Sequence, residues 1–315
     1  MLDTSLEIGA VMAAFLFAAS GGELFLSGVL GTAKMLRLPR SLLATTLGAA
    51  LTSAPELFVS IVAAGSGRPE IGLGDSLGSN VVNVGLVLGL VLLHRGLVVG
   101  AAERVPTIAA LSAPVVVLLT LLDGHVSRTE GLLLLVLFAS WVILGFRLSP
   151  RAPPDATAPT ASGPAKVRSI VGLVAGVMLL LVAGRLFVYG AEGLAGRLGI
   201  DDYIIGATVV AIGTSLPELV TVIASRRRGQ DDIGLGTVLG SNLFNGLAIV
   251  GVAATITPID VPLAEVAVTL AFGWSSLLLI LPRSDFIPRS RGIWLISTYL
   301  AHVATTVAIT TAGKT

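Results

Sequence analysis

Thr52-Ser53-Ala54-Pro55-Glu56 and Thr214-Ser215-Leu216-Pro217-Glu218 are one pattern written twice, 162 residues apart, each inside a long apolar stretch. A carboxylate in the middle of a hydrophobic span costs about 2.5–3.5 kcal/mol on insertion scales, so its presence implies a task. The proline one residue earlier lacks an N–H and frees the carbonyl four residues back, at Leu51 and Gly213. Hydroxyls, free carbonyls and a carboxylate then lie side by side. Such an all-oxygen environment suits a hard cation.

The repetition extends outward from these five residues. Shifting 44–83 by 162 lays it on 206–245 without a gap, and 18 of the 40 aligned pairs are identical. Ile71-Gly72-Leu73-Gly74 meets Ile233-Gly234-Leu235-Gly236, Leu77-Gly78-Ser79-Asn80 meets Leu239-Gly240-Ser241-Asn242, and Asn83 falls on Asn245. Similar composition in two apolar helices explains matched leucines and glycines, but not both polar motifs in one register. The chain is a duplication.

Hydrophobic residues make up 54% of the chain and charged residues only 12%, far below the quarter usual in soluble domains. Spans need roughly 20 apolar residues each. Ten stretches qualify: 6–33, 41–65, 71–94, 100–122, 130–147, 168–197, 203–225, 232–256, 260–282 and 291–312. The runs are continuous rather than alternating, which argues against strands. Asp3 and Glu7 stand where a signal peptide carries basic residues, so the first span reads as a retained helix. There is no cysteine, which removes disulfides and thiolate metal sites. The net charge of +1 gives no reason to expect nucleic acid.

Lysine and arginine set the orientation. With the N-terminus outside, the cytoplasmic loops collect fifteen: Lys34, Arg37, Arg40, Arg95, Arg104, Arg147, Arg151, Lys166, Arg168, Arg226, Arg227, Arg228, Arg283, Arg289 and Arg291. Arg68, Arg128, Arg197 and Lys314 remain outside, and Arg185 lies within a span. Both termini are then extracellular or periplasmic, on a multi-pass protein of the cell (inner) membrane. Five spans per half is an odd number, so the second half enters the bilayer upside down. The expected fold is an all-α integral membrane protein, ten transmembrane helices arranged as two inverted five-helix repeats. Residues 1–147 form the first repeat and 168–315 the second. Between them, 148–167 carries five prolines and reads as a disordered cytoplasmic linker.

Glu56 and Glu218 are the leading candidates for a shared central site; the bland reading is two buried glutamates that glue helices. Ser79 and Asn83, like Ser241 and Asn245, are four apart and share a helix face. Asparagine offers a carbonyl oxygen without charge. The competing role for this segment is close packing through Gly74-x-x-x-Gly78 and Gly236-x-x-x-Gly240, with polar residues as interhelical glue. Asp75, whose counterpart is Thr237, faces either the ion path or a solvated vestibule. Glu23 and Arg185 are also 162 apart, either as an ion pair near the two-fold axis or as separate side chains. His94, His125 and His302 lack ligand spacing, and Arg226-Arg227-Arg228 reads most simply as a topology determinant.

The paired Thr-Ser-x-Pro-Glu and Gly-Ser-Asn-x-x-Asn blocks resemble the two alpha-repeats of sodium/calcium exchangers, within the cation/calcium antiporter superfamily. On that resemblance, 44–83 and 206–245 are alpha-repeats 1 and 2. The resemblance implies calcium exchanged for sodium by alternating access, no catalysis and no cofactor, the transported ions and the lipid bilayer as partners, and function as a monomer. It implies cation ligands at Glu56, Glu218, Thr52, Thr214, Ser53, Ser215, Ser79, Ser241, Asn83 and Asn245, with backbone oxygens at Ala49 and Ala211. Leu51, Asp75, Thr237 and the Asn83/Asn245 pair depart from the usual pattern, which bears on stoichiometry and potassium dependence. Two ionised glutamates neutralise one calcium or two sodium ions, so one cage holds either but not both. A proton replacing sodium gives a calcium/proton antiporter as the alternative. A cation channel would need a continuous pore, and an intramembrane hydrolase a nucleophile–base arrangement that is missing here.

Overall fold

The computed structural model describes residues 2–36, 38, 40–67, 69–99, 104–148, 163–197, 211–261, 263–281 and 286–312. It is nearly all helical. The helices are α1 (Leu2–Leu36), α2 (Ala44–Thr52), α3 (Ala54–Gly65), α4 (Pro69–His94), α5 (Arg104–Thr120) and α6 (Arg128–Leu148). After them come α7 (Gly163–Arg197), α8 (Leu216–Arg227), α9 (Asp231–Ile256), α10 (Leu263–Ile280) and α11 (Ser290–Ala312). A short turn, Ala211–Thr214, leads into α8.

Among the described residues, Ser5–Leu36, Pro69–His94, Arg128–Arg147, Lys166–Leu186 and Asp231–Ile256 are long and apolar enough to cross a membrane, and the bent pair α2–α3 adds a sixth. All ten stretches marked out by hydropathy contain helix. Residues 100–103, 203–210, 262 and 282 of those stretches lie outside the described set. Of the expected linker, 149–162 lies outside it too. The last five residues, 163–167, are helical rather than disordered. Pro164 sits in the first turn of α7, where a missing N–H costs nothing.

α1 and α7 run together backbone to backbone. A Cβ on Gly176 would meet Phe25 Cα at 2.7 Å and one on Gly28 would meet Leu173 Cα at 2.5 Å. Small residues allow such approach where no hydrophobic force drives helices together. The main core gathers Leu73, Leu77, Val81 and Leu88 of α4 with Val238, Leu239 and Leu243 of α9. These two polar-bearing helices are therefore the most enclosed.

The apolar stretches are helical where described, as their unbroken runs imply, and short strands occur in the connections between them. At Arg95 (φ −159°, ψ 156°) and Thr257 (φ −139°, ψ 123°) the chain leaves a helix in extended form. Among the described residues, four two-residue strands occur: β1 (Leu97–Val98), β2 (His125–Val126), β3 (Ile259–Asp260) and β4 (Phe286–Ile287). β1 pairs antiparallel with β4, Leu97 opposite Ile287; β2 pairs with β3, His125 opposite Asp260. Each pair joins one half of the chain to the other. The loops expected inside pair with each other, and so do those expected outside.

His125 Nδ1 lies 2.6 Å from Asp260 Oδ1 across β2 and β3. The hydrogen bond to Asp260 pushes the imidazole above its ordinary value, the nearby acids adding to it. A raised folded-state value means that the link is fully present below pH about 6.5 and fades as pH rises through the shifted value. Replacing His125 with Ala should lower the melting temperature measurably near pH 6 and not near pH 9. Equal differences at both values would mean the pair contributes no pH-dependent stability.

Candidate functional site

Both halves break the helix at the same place. Ser53 (φ −86°, ψ 18°) and Ser215 (φ −83°, ψ 5°) leave helical geometry, and Pro55 and Pro217 occupy the first turn of α3 and α8. The first break bends the chain by 55°. Each glutamate thereby lies at a helix N-terminus, where free N–H groups favour a negative charge. Glu56 and Glu218 are both fully buried.

The two breaks face each other. Ser53 Oγ of the first half donates to Glu218 Oε1 of the second at 2.9 Å, and Ser241 Oγ donates to the same oxygen at 3.0 Å. Thr52 Oγ1 is 3.4 Å from Ser241 Oγ, and the counterpart pair, Ser79 Oγ and Thr214 Oγ1, stands at 3.3 Å. Thr52 and Thr214 also donate to the carbonyls of Ala49 and Ala211, at 3.1 and 3.2 Å. Thus eight of the twelve residues singled out from sequence join two groups linked by side-chain hydrogen bonds, Ala49, Thr52, Ser53, Glu218 and Ser241 in one and Ser79, Ala211 and Thr214 in the other. The other four, Glu56, Ser215, Asn83 and Asn245, are buried.

The asparagines sit where α4 and α9 widen into π-helical turns, Val82–Leu88 and Phe244–Ile249. Such turns are rare and frequent at functional sites. Among the described residues, neither amide of Asn83 or Asn245 has a hydrogen-bond partner. Both oxygens of Glu56, Oε2 of Glu218 and Oγ of Ser215 are likewise buried and unpartnered. One orphaned buried polar group costs roughly 1–3 kcal/mol, so five residues carrying them on elements that touch one another fit a ligand site. The donor chemistry is hydroxyl, amide and carboxylate oxygen throughout, which fits a hard cation.

Residues 80 and 242 were passed over in the sequence although Gly-Ser-Asn contains them in both halves. Asn80 Nδ2 donates to the Asn242 carbonyl at 3.2 Å, and Asn242 Nδ2 returns the bond to the Asn80 carbonyl at 3.3 Å. This reciprocal clasp locks α4 to α9. Asp75 faces the site: its Oδ1 is 3.4 Å from Thr214 Oγ1, and its Oδ2 is buried without a partner.

Of the two readings of Glu23 and Arg185, that of separate side chains holds: Glu23 pairs with Arg228, which also donates to Ser27 Oγ at 3.0 Å. Arg185 instead lies over the Phe58 ring, 5.1 Å from its centroid. The arginine run is therefore more than a topology signal. Arg226 Nη2 donates to the carbonyls of Arg95 and Gly96, tying the end of α8 to that of α4.

The equivalent glycine contacts differ between the halves. A Cβ on Gly240 would meet Ala49 Cβ at 2.7 Å, whereas one on Gly78 would meet the equivalent Ala211 Cβ at 4.0 Å, its nearest neighbour among the described residues. Gly74 has open space; Gly72 is the one pressed against its neighbour, with Ser60 Cα at 2.7 Å. Matching sequences thus pack tightly at Ala49–Gly240 and loosely at Ala211–Gly78.

Fold and site together define a helical membrane protein whose duplicated halves meet at a buried cluster of unpartnered oxygens. The profile of one family, described as sodium/calcium exchanger protein, matches the chain twice, at 6–146 and 168–308. The inner membrane protein YrbG of Escherichia coli is 33% identical over 282 residues, 85% of this chain and 86% of its own. The sodium/calcium exchanger MaX1 of Methanosarcina acetivorans is 34% identical over 139 residues, 43% of this chain and 40% of its own. The solved structure of the sodium–calcium exchanger NCX_Mj, soaked with sodium and strontium, superposes with a TM-score of 0.83 at 28% identity, covering 96% of this chain and 98% of that one. The chain belongs to the sodium/calcium exchanger family.

The packing difference gives a direct check. Gly240→Ala should destabilise the purified protein by about 1–3 kcal/mol through overpacking, and Gly78→Ala by less than about 1 kcal/mol. Thermal or denaturant unfolding in detergent measures both; equal losses would mean the two seams are equally close in solution.

Proposed function

We propose that this protein exchanges calcium for sodium by alternating access, through one cage where its two helix breaks meet. In this reading Glu56 and Glu218 supply charge. Thr52, Thr214, Ser53, Ser215, Ser79 and Ser241 supply hydroxyl oxygens, Asn83 and Asn245 amide oxygens, and Ala49 and Ala211 carbonyls. The carrying observation is that both halves contribute buried oxygens unpartnered among the described residues, on elements that touch one another around the breaks. The hydroxyls of Ser53 and Ser241 donate to Glu218 and still have lone pairs to offer a cation.

The chemistry of exchange follows from charge. Two carboxylates in low dielectric balance one divalent or two monovalent cations, so the ions exclude each other. Asp75 beside Thr214 adds a third carboxylate at the edge of this cage. It gives the site room for one further monovalent cation. The ten helices cross the bilayer as two inverted five-helix repeats in the cell (inner) membrane, with both termini outside. What supports the inversion is that β1 pairs with β4 and β2 with β3, so loops assigned to one side meet on that side. What supports alternating access is the unequal packing of equivalent seams, tight at Gly240 and loose at Gly78. An inverted repeat reverses its access when the halves trade packing. Both halves of the cage come from one chain, so a monomer suffices.

Sodium-loaded proteoliposomes should accumulate labelled calcium when external sodium is removed. Restoring sodium outside should abolish the uptake. Uptake that follows a pH gradient and ignores sodium would replace the reading with calcium/proton exchange.

A further inference from the structure

A second polar cluster lies apart from the cage, where the C-terminal ends of α4 and α8 meet. A cavity of about 370 Å³ opens there among His94, Arg95, Ile223, Arg226 and Arg227. The Arg226 side chain is only 9% exposed. Its Nη2 is used by the Arg95 and Gly96 carbonyls and its Nη1 lies 3.5 Å from Asp231 Oδ2, while its Nε is buried without a partner. Arg95 Nη2 is 3.9 Å from the same Asp231 oxygen. Asp232 is taken up by Arg40 at 2.7 Å. Arg227 and His94 are exposed, and among the described residues Arg227 makes no hydrogen bond or ion pair.

Three guanidinium groups against the one carboxylate of Asp231 leave two positive charges around this cavity. One helical turn further into the bundle the wall changes character: Leu90, Leu93 and Ile223 are 44%, 42% and 37% exposed. A cationic pocket above an outward apolar wall, at the ends of two apolar helices, matches a headgroup above its acyl chains. A free phosphate would have no use for that wall.

We propose that this cavity binds the phosphodiester of an anionic phospholipid, with its acyl chains along Leu90, Leu93 and Ile223. Arg227 and Arg95 meet the phosphate oxygens, and Arg226 supplies charge from beneath while its hydrogen bonds hold the two helix ends together. The bound lipid thereby bridges α8, which carries Glu218, to α4, which carries Asn83. This site is independent of the cation cage, and its test needs no transport measurement.

Native mass spectrometry of the purified full chain, titrated with phosphatidylglycerol or phosphatidylcholine of matched chains, measures the binding. One phosphatidylglycerol should be held about fivefold or more tightly than phosphatidylcholine. Arg227→Gln should remove about fivefold of that affinity, the share of one arginine near a membrane surface, and Arg227→Lys should keep it. Arg168→Gln, which removes an exposed charge elsewhere, should change nothing. Equal retention of the two lipids would overturn the proposal, and so would Arg227→Gln and Arg168→Gln acting alike. Displacement of phosphatidylglycerol by millimolar inorganic phosphate would overturn the assignment to lipid.

Discussion

The structure depends on one constraint: a helix broken inside a low-dielectric interior must find partners for its polar groups. Pro55 and Pro217 impose the breaks, and Ser53 and Ser215 turn out of helical geometry before them. In hydrocarbon such a break is tolerated only where it is buried in protein or lines a cavity. Here each break is answered by the other half. Ser53 reaches across to Glu218, and α4 and α9 close over the pair with the Asn80–Asn242 clasp. The duplication supplies each break with an opposite one, and the core of α4 and α9 holds them face to face.

What the fold leaves unsatisfied is as informative as what it satisfies. Among the described residues, Glu218 Oε1 has two donors, while Glu56 has none on either oxygen. The same sequence motif therefore has two environments within one molecule. The packing follows suit, with Gly240 against Ala49 and Gly78 standing off Ala211. Glu23–Arg228 fixes α1 to the end of α8, but the position equivalent to Glu23 in the second half, Arg185, sits over Phe58 instead. A two-fold sequence with an asymmetric structure is what a carrier needs, because access on one side requires closure on the other.

Much of this was legible in the sequence because apolar length and exact repetition are strong signals. The helix breaks and the paired glutamates were readable from Pro55, Pro217 and the register of 162, and the nearly all-helical fold from the apolar runs. The rest depended on tertiary neighbours. Repeat logic suggested pairing Glu23 with Arg185, yet the side chain that reaches Glu23 comes from Arg228, 205 residues away. The strands escaped notice because two residues carry no periodicity. Gly74 and Gly78 looked like a seam by spacing alone, whereas Gly72 makes the close contact. Asn80 and Asn242 lay inside a motif already quoted, but their partner is each other's backbone, which no sequence pattern displays.

The central claim is that Glu56 and Glu218 serve one cation together. Equilibrium binding of labelled calcium to the purified chain tests it most directly, comparing the wild type with Glu56→Gln and Glu218→Gln. The account predicts one calcium per chain, displaced by sodium, and loss of that binding in either variant alone. Two calcium ions per chain, or one ion surviving with unchanged affinity in either single variant, would contradict it.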